Sequence, residues 1–160
     1  MQQMSYYYET INTRFRDVAV QKQLFSEDGA LLYSGFAVRD TPYGSGTVFY
    51  PDGKIYQEGV FGIKGLLYGR EYYPSGKIRF EGVYAICMGY GPNYPIYGKC
   101  YDTEGNQFFN GKLKIRHSGL GYPTVEEPEQ YGNVHMNDRP HYKSFSWSDA
   151  QELDKRINGE

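Results

Sequence analysis

Sulfur, histidine and tryptophan are scarce in this 160-residue chain, and each scarcity removes a class of function. The two cysteines, Cys87 and Cys100, are too few for a disulfide framework, and neither stands near a second Cys or His at zinc-finger spacing. The histidines, His117, His135 and His141, form no HExxH pair. The chain holds no GxSxG, no GxGxxG and no phosphate-loop lysine motif. A non-enzymatic chain with no catalytic residue, no metal and no cofactor is therefore expected. No stretch approaches the roughly 18 apolar residues of a membrane-crossing helix, so no integral membrane segment is expected. Residues 1–25 hold no apolar core of a secretory signal, which points to the cytoplasm. Lys and Arg number 17 against 19 Asp and Glu, so no basic excess marks a nucleic-acid partner.

What the chain does have is tyrosine, phenylalanine and glycine: 18, 9 and 20 residues, a mixture that favours strands and tight turns over helices. These residues are arranged periodically. YPDGKIYQEG (50–59) returns 23 residues later as YPSGKIRFEG (73–82). Gly53 and Gly76 mark the same point in the two stretches, and Gly29 and Gly105 fit the same frame. In all four copies a glycine follows six positions later: Gly35, Gly59, Gly82 and Gly111. In three copies a glycine also stands seven positions before: Gly46, Gly69 and Gly98, with Lys22 in that place in the first copy.

Each copy has the pattern of a β-hairpin. Pro51-Asp52-Gly53 and Pro74-Ser75-Gly76 supply the fixed φ that begins a turn and the glycine that completes it. Counting from the turn glycine, offsets +2, +4, +6 and +8 form one face, mostly apolar and carrying the recurring glycine; in the third copy these are Ile78, Phe80, Gly82 and Tyr84. Offset +5 reads Ser34, Glu58, Glu81, Asn110, a polar ridge on the other face. The inward glycine has two readings: a bare place over which a neighbouring ring lies, or the mark of a bulge. Glu58 and Glu81 recur with the repeat and are assigned to the scaffold rather than to paired-carboxylate catalysis.

The motif Gly-x-x-aromatic-Tyr-Pro-(Asp/Ser)-Gly-Lys-Ile-x-x-Glu-Gly resembles the MORN repeat, and most closely the variant of a family of bacterial antitoxins. The resemblance is strongest over residues 44–84, weaker over 22–43 and 96–113, and absent elsewhere. It implies hairpins aligned in one elongated, twisted antiparallel sheet, and a function in binding another protein, with lipid binding proposed for some members.

A single domain is expected: capping strands over 1–21, four repeats over 22–113, an irregular segment over 114–147 and a short helix over 148–159. Ser148 with Gln151 forms a capping box for that helix, and Ala150, Leu153 and Ile157 share one of its faces. Partner-binding residues are sought where the repeat breaks. The third connector, Ala85 to Tyr97, is longer than its counterpart Gly62 to Tyr68 and sets Tyr90, Asn93, Tyr94 and Tyr97 among Gly and Pro. These four are the candidate contact residues, whereas Tyr68 in the short connector is expected to serve stability. The functional expectation is a protein-binding module, an antitoxin or immunity-type inhibitor in its sharpest form. The alternative is a protein that binds a lipid headgroup or glycan on a Tyr-lined sheet face.

Overall fold

Four copies of one tight reversal set the architecture. In each, three residues form the loop: Glu27-Asp28-Gly29, Pro51-Asp52-Gly53, Pro74-Ser75-Gly76 and Thr103-Glu104-Gly105. The glycine takes φ between +90° and +93°, a conformation that closes a three-residue hairpin loop and strains any other residue. Its N–H donates to the carbonyl of the residue before the loop, as from Gly53 to Tyr50 at 2.9 Å and from Gly76 to Tyr73 at 2.9 Å. The Asp52 carboxylate accepts from the Lys54 N–H at 3.0 Å, which stiffens the loop further.

The computed structural model describes residues 19–62, 64–86, 93–117, 123–126 and 128–132. The reversals join eight strands: β1 (Val20–Phe25), β2 (Leu31–Val38), β3 (Thr41–Phe49), β4 (Ile55–Gly62), β5 (Gly65–Tyr72), β6 (Ile78–Ala85), β7 (Tyr94–Tyr101) and β8 (Gln107–Lys112). They lie in chain order in one open antiparallel sheet. The fold is mainly β, as the repeat implies. The only helical turn among the described residues is the 3-10 turn Glu129–Tyr131, and the helix expected over 148–159 lies outside those residues. Of the expected N-terminal capping strands, Val20 and Gln21 open β1 and the remainder lies outside the described residues.

Bulges interrupt the alternation of the inner face, beside the connectors, where Leu67 and Ile96 are extra residues, and beside the turns. Val48 pairs with Gln57 and Phe49 with Ile55, so Tyr56 is an extra residue in β4. The same bulge skips Arg79 in β6, where Glu71 pairs with Phe80 and Tyr72 with Ile78. A bulge puts two successive side chains on one side. Tyr56 and Gln57 are both buried, as are Arg79 and Phe80. Offset +2, expected on the inner face, is thereby turned to the other face, where Ile55 and Ile78 are only half-buried. Offsets +3, +4 and +8 are the ones that build the core.

Seven glycines form a continuous row across β2 to β8: Gly35, Gly46, Gly59, Gly69, Gly82, Gly98 and Gly111, each paired with the next. The backbone along the row is rolled. A Cβ at Gly59 would sit 2.8 Å from the Cα of Gly69 and closer still to the Tyr68 carbonyl oxygen. Gly69 and Gly98 meet the same obstruction from their own partners. Crowding by neighbouring backbone thus explains most of the row. Of the inward glycines six positions after the turn, Gly35, Gly59 and Gly82 are met by backbone; a ring occupies the place of a side chain at Gly46, seven positions before the turn, where Tyr33 lies.

With no side chains along this line, the two halves of the inner face close over it. Phe80 and Tyr84 stand four residues apart on one strand, about 13 Å at the usual rise, yet their ring centroids are 5.4 Å apart. Tyr33 packs edge-on against Phe61 from a strand two away, also at 5.4 Å. A one-layer sheet thus contributes both walls of its own core, which includes Tyr33, Val48, Phe61, Leu66, Phe80 and Cys100, all essentially inaccessible. The segment expected to be irregular, 114–147, contributes a small antiparallel pair, β9 (Ile115–His117) with β10 (Pro123–Val125). It also contributes Tyr131, which packs edge-on against Tyr73 and Phe108.

Candidate binding surface

Two rows of side chains flank the glycine line on the outer face. At offset +7 and its cross-strand partners the row runs Ser45, Val60, Tyr68, Val83, Tyr97, Lys112, neighbour paired with neighbour. Its middle is apolar and open to solvent: Tyr68 is 55% exposed, Val83 46% and Tyr97 57%. At offset +5 the row runs Thr47, Glu58, Arg70, Glu81, Lys99, Asn110. The Arg70 Nε donates to Glu81 at 2.5 Å, and its Nη1 lies 4.0 Å from Glu58. The Tyr72 hydroxyl also donates to Glu58. The hydrogen bond with Glu81 raises the Arg70 pKa, with a further contribution from Tyr72. Charged and apolar rows therefore run side by side, held at strand spacing by the sheet beneath.

The inner face carries a second, enclosed constellation. Glu71 of β5, Arg79 of β6 and Gln57 of β4 replace what are Val48, Tyr56 and Phe80 at equivalent places in neighbouring copies. All three are buried. The Arg79 Nη1 lies 3.3 Å from one Glu71 carboxylate oxygen. The other accepts from Gln57 Nε2 at 2.8 Å and from the Tyr84 hydroxyl at 3.2 Å. The guanidinium lies over the Tyr131 ring, 4.4 Å from its centroid, and 5.8 Å from that of Tyr73, a cation–π arrangement strengthened by burial. Burial, with the Glu71 charge behind it, pushes the Tyr84 phenol well up. Burial also raises the Cys100 thiol, opposed by Tyr131 and Arg79, so this cysteine is held as the unreactive neutral form. The two opposite charges of the cluster, Arg79 and Glu71, pair with each other, which gives it the character of a polar core.

Comparison of the chain with protein-family models, with curated proteins and with solved structures yields no match.

The four residues expected to touch a partner separate in the structure. Asn93 is buried: its N–H donates to the Lys64 carbonyl at 3.0 Å and its Nδ2 to the Leu66 carbonyl at 3.2 Å, so it ties the long connector to the short one. Tyr94 opens β7 opposite Ala85 and is half-buried. Tyr97 belongs to the exposed outer row. Tyr90 lies outside the described residues. Tyr68, expected to serve stability, is instead as exposed as Tyr97 and lies two strands from it in the same row. The signal for this row in the sequence is offset +7 lined up across the copies, Val60, Val83 and Lys112. The buried cluster also had a sequence signal, since three slots that are apolar or aromatic elsewhere turn polar together.

Proposed function

We propose that this chain is a protein-binding repeat module, and that its outer face is the surface that meets the partner. The resemblance to MORN-variant antitoxins gives this reading its sharpest form, an inhibitor that covers another protein without chemistry of its own. One observation carries the reading: the row Val60, Tyr68, Val83, Tyr97 is contiguous, exposed in its last three members with Val60 half-buried, and presented on a paired sheet rather than a loop. Aromatic side chains with few rotatable bonds lose little entropy on docking, and they dominate interface energetics. Contiguous apolar surface of this kind marks interaction sites.

The test uses the tagged full chain as bait in its source cell, beside the double variant Tyr68→Ala, Tyr97→Ala. Wild type is expected to retain a specific protein, and the double variant to lose it at least about tenfold, equivalent to about 1.4 kcal/mol, with the melting temperature unchanged. Equal capture by both forms overturns the outer face as the binding surface. Retention of vesicles or glycans in place of protein would favour the lipid-headgroup or glycan reading instead.

A further inference from the structure

The outer face has an order that fits one particular occupant. Across β4 to β7 the apolar row reads Val60, Tyr68, Val83, Tyr97, small and large in alternation. The adjacent row reads Glu58, Arg70, Glu81, Lys99, negative and positive in alternation. Both rows have even length and alternate strictly, so each read backwards is its own complement.

From this self-complementarity we infer that a second copy of this chain docks on the face, related by a two-fold axis running along the strands between β5 and β6. The inference rests on the reading of the outer face as a binding surface. A half-turn about such an axis reverses the order of the strands and leaves position along each strand unchanged. Row then meets the same row in reverse. Tyr68 faces Val83 of the second copy and Tyr97 faces its Val60, so each ring stands over a smaller side chain. Arg70 faces Glu81 of the second copy, and Lys99 faces its Glu58. Lys99 brings the further advantage that it has no ion-pair partner among the described residues. The four strands span about 14 Å at ordinary strand spacing. Beyond them Ser45 meets Lys112, and Thr47 meets Asn110, a polar rim around an apolar and charge-matched centre. A half-turn about an axis across the strands, over the glycine line, would instead set the apolar row on the charged row and leave the charges unmatched, at a cost that selects the arrangement along the strands. Such an interface is isologous and closes at two copies, and aligned packing of two sheets face to face is an ordinary geometry.

Sedimentation of the full chain over a concentration range is expected to show a monomer–dimer equilibrium. Its dissociation constant should rise at least about fivefold between about 0.05 M and about 0.5 M salt, since the facing charges are at the surface. Two charge variants sharpen the test: Glu58→Lys with Glu81→Lys makes the row wholly positive, and Arg70→Glu with Lys99→Glu makes it wholly negative. Each alone should be monomeric, and an equimolar mixture should form the mixed dimer. A wild type that stays monomeric to about 1 mM overturns the inference, as does dimerisation of either single-sign variant. If a charge variant fails to fold, Val83→Arg, which sets a like-charged pair beside the axis, must abolish the dimer in its place. Monomeric wild type whose capture of another protein still depends on Tyr68 and Tyr97 would sink the second copy alone. A dimer as described, with no capture dependent on those tyrosines, would sink the wider reading.

Discussion

Gln57 and Glu58 are adjacent in β4 and answer to different physics. Gln57 faces the inner side, where it is buried and its amide must find the Glu71 carboxylate. Glu58 faces outward, half-exposed, where Arg70 and Tyr72 hold it in place but solvent would satisfy it as well. The contrast runs along the sheet. On the inner side a polar atom without a partner costs its whole desolvation, so composition is tightly constrained. On the outer side surface ion pairs contribute at most about 1 kcal/mol, so composition is open to selection for recognition. The inner face specifies the fold and the outer face is where function has room to act.

The contrast can be broken first at the line that divides the faces. Gly59 has φ of +148° and no space for a Cβ. Gly59→Ala is expected to cost about 4 kcal/mol or more, adding backbone strain to overpacking; urea denaturation measures it, and a loss below about 1 kcal/mol would show that the row relaxes easily. Next in size is the buried pair. Glu71→Val leaves Arg79 buried without its carboxylate and should cost about 3 kcal/mol. Glu71→Val with Arg79→Tyr, the residues of the preceding copy, should recover the part of that loss that comes from the stranded guanidinium, while Gln57 and Tyr84, which lose their acceptor, hold back the rest. Should the double variant be no better than the single, the cluster does more than fill the core.

Alkali should separate the faces by titration. Burial raises the phenols of Tyr33, Tyr73, Tyr84 and Tyr131, with Tyr73 pushed up to about 12. In the unfolded chain these groups ionise near about 10. A raised folded value means that stability is intact below pH about 10 and is lost as pH rises towards the folded values. Phenolate absorbance should therefore show a late class of tyrosines that ionises together with the loss of far-ultraviolet strand signal. Smooth titration of every tyrosine before any unfolding would contradict the closed inner face. The smallest expected effect belongs to the outer row: Tyr68→Ala and Tyr97→Ala should each change stability by less than about 0.5 kcal/mol, and a drop several times larger would place those rings in the scaffold.

The hairpins were legible in the sequence because a turn is a local matter. Pro-Asp-Gly and Pro-Ser-Gly dictate a reversal whatever surrounds them, and glycines at fixed distance on either side announce a shared register. What could not be read was non-local. Alternation counted through Tyr56 and Arg79 sets offset +2 inward, and a bulge leaves no mark in composition. Asn93 stood among tyrosines in a long connector and looked like a contact residue, yet its amide is used against Lys64 and Leu66, carbonyls some thirty residues earlier in the chain. Tyr131 reached the core from a stretch that reads as polar loop. Tyr97 stands at the edge of a connector, but what distinguishes it is a row of cross-strand neighbours that appears only when pairing is known.

The glycine row also governs how such a chain can grow. The crowding is mutual across the connectors, Gly59 with Gly69 and Gly82 with Gly98, so each hairpin supplies one half of the constraint to the neighbour on either side. Duplicating one unit by tandem copying would add two strands and a matched pair of glycines, and would ask nothing new of the strands already present. A single added strand would instead present a side chain to a backbone that leaves no place for it. Length in this architecture is inherited in whole hairpins, while the connectors between them, as from Ala85 to Tyr97, remain free to lengthen and diverge.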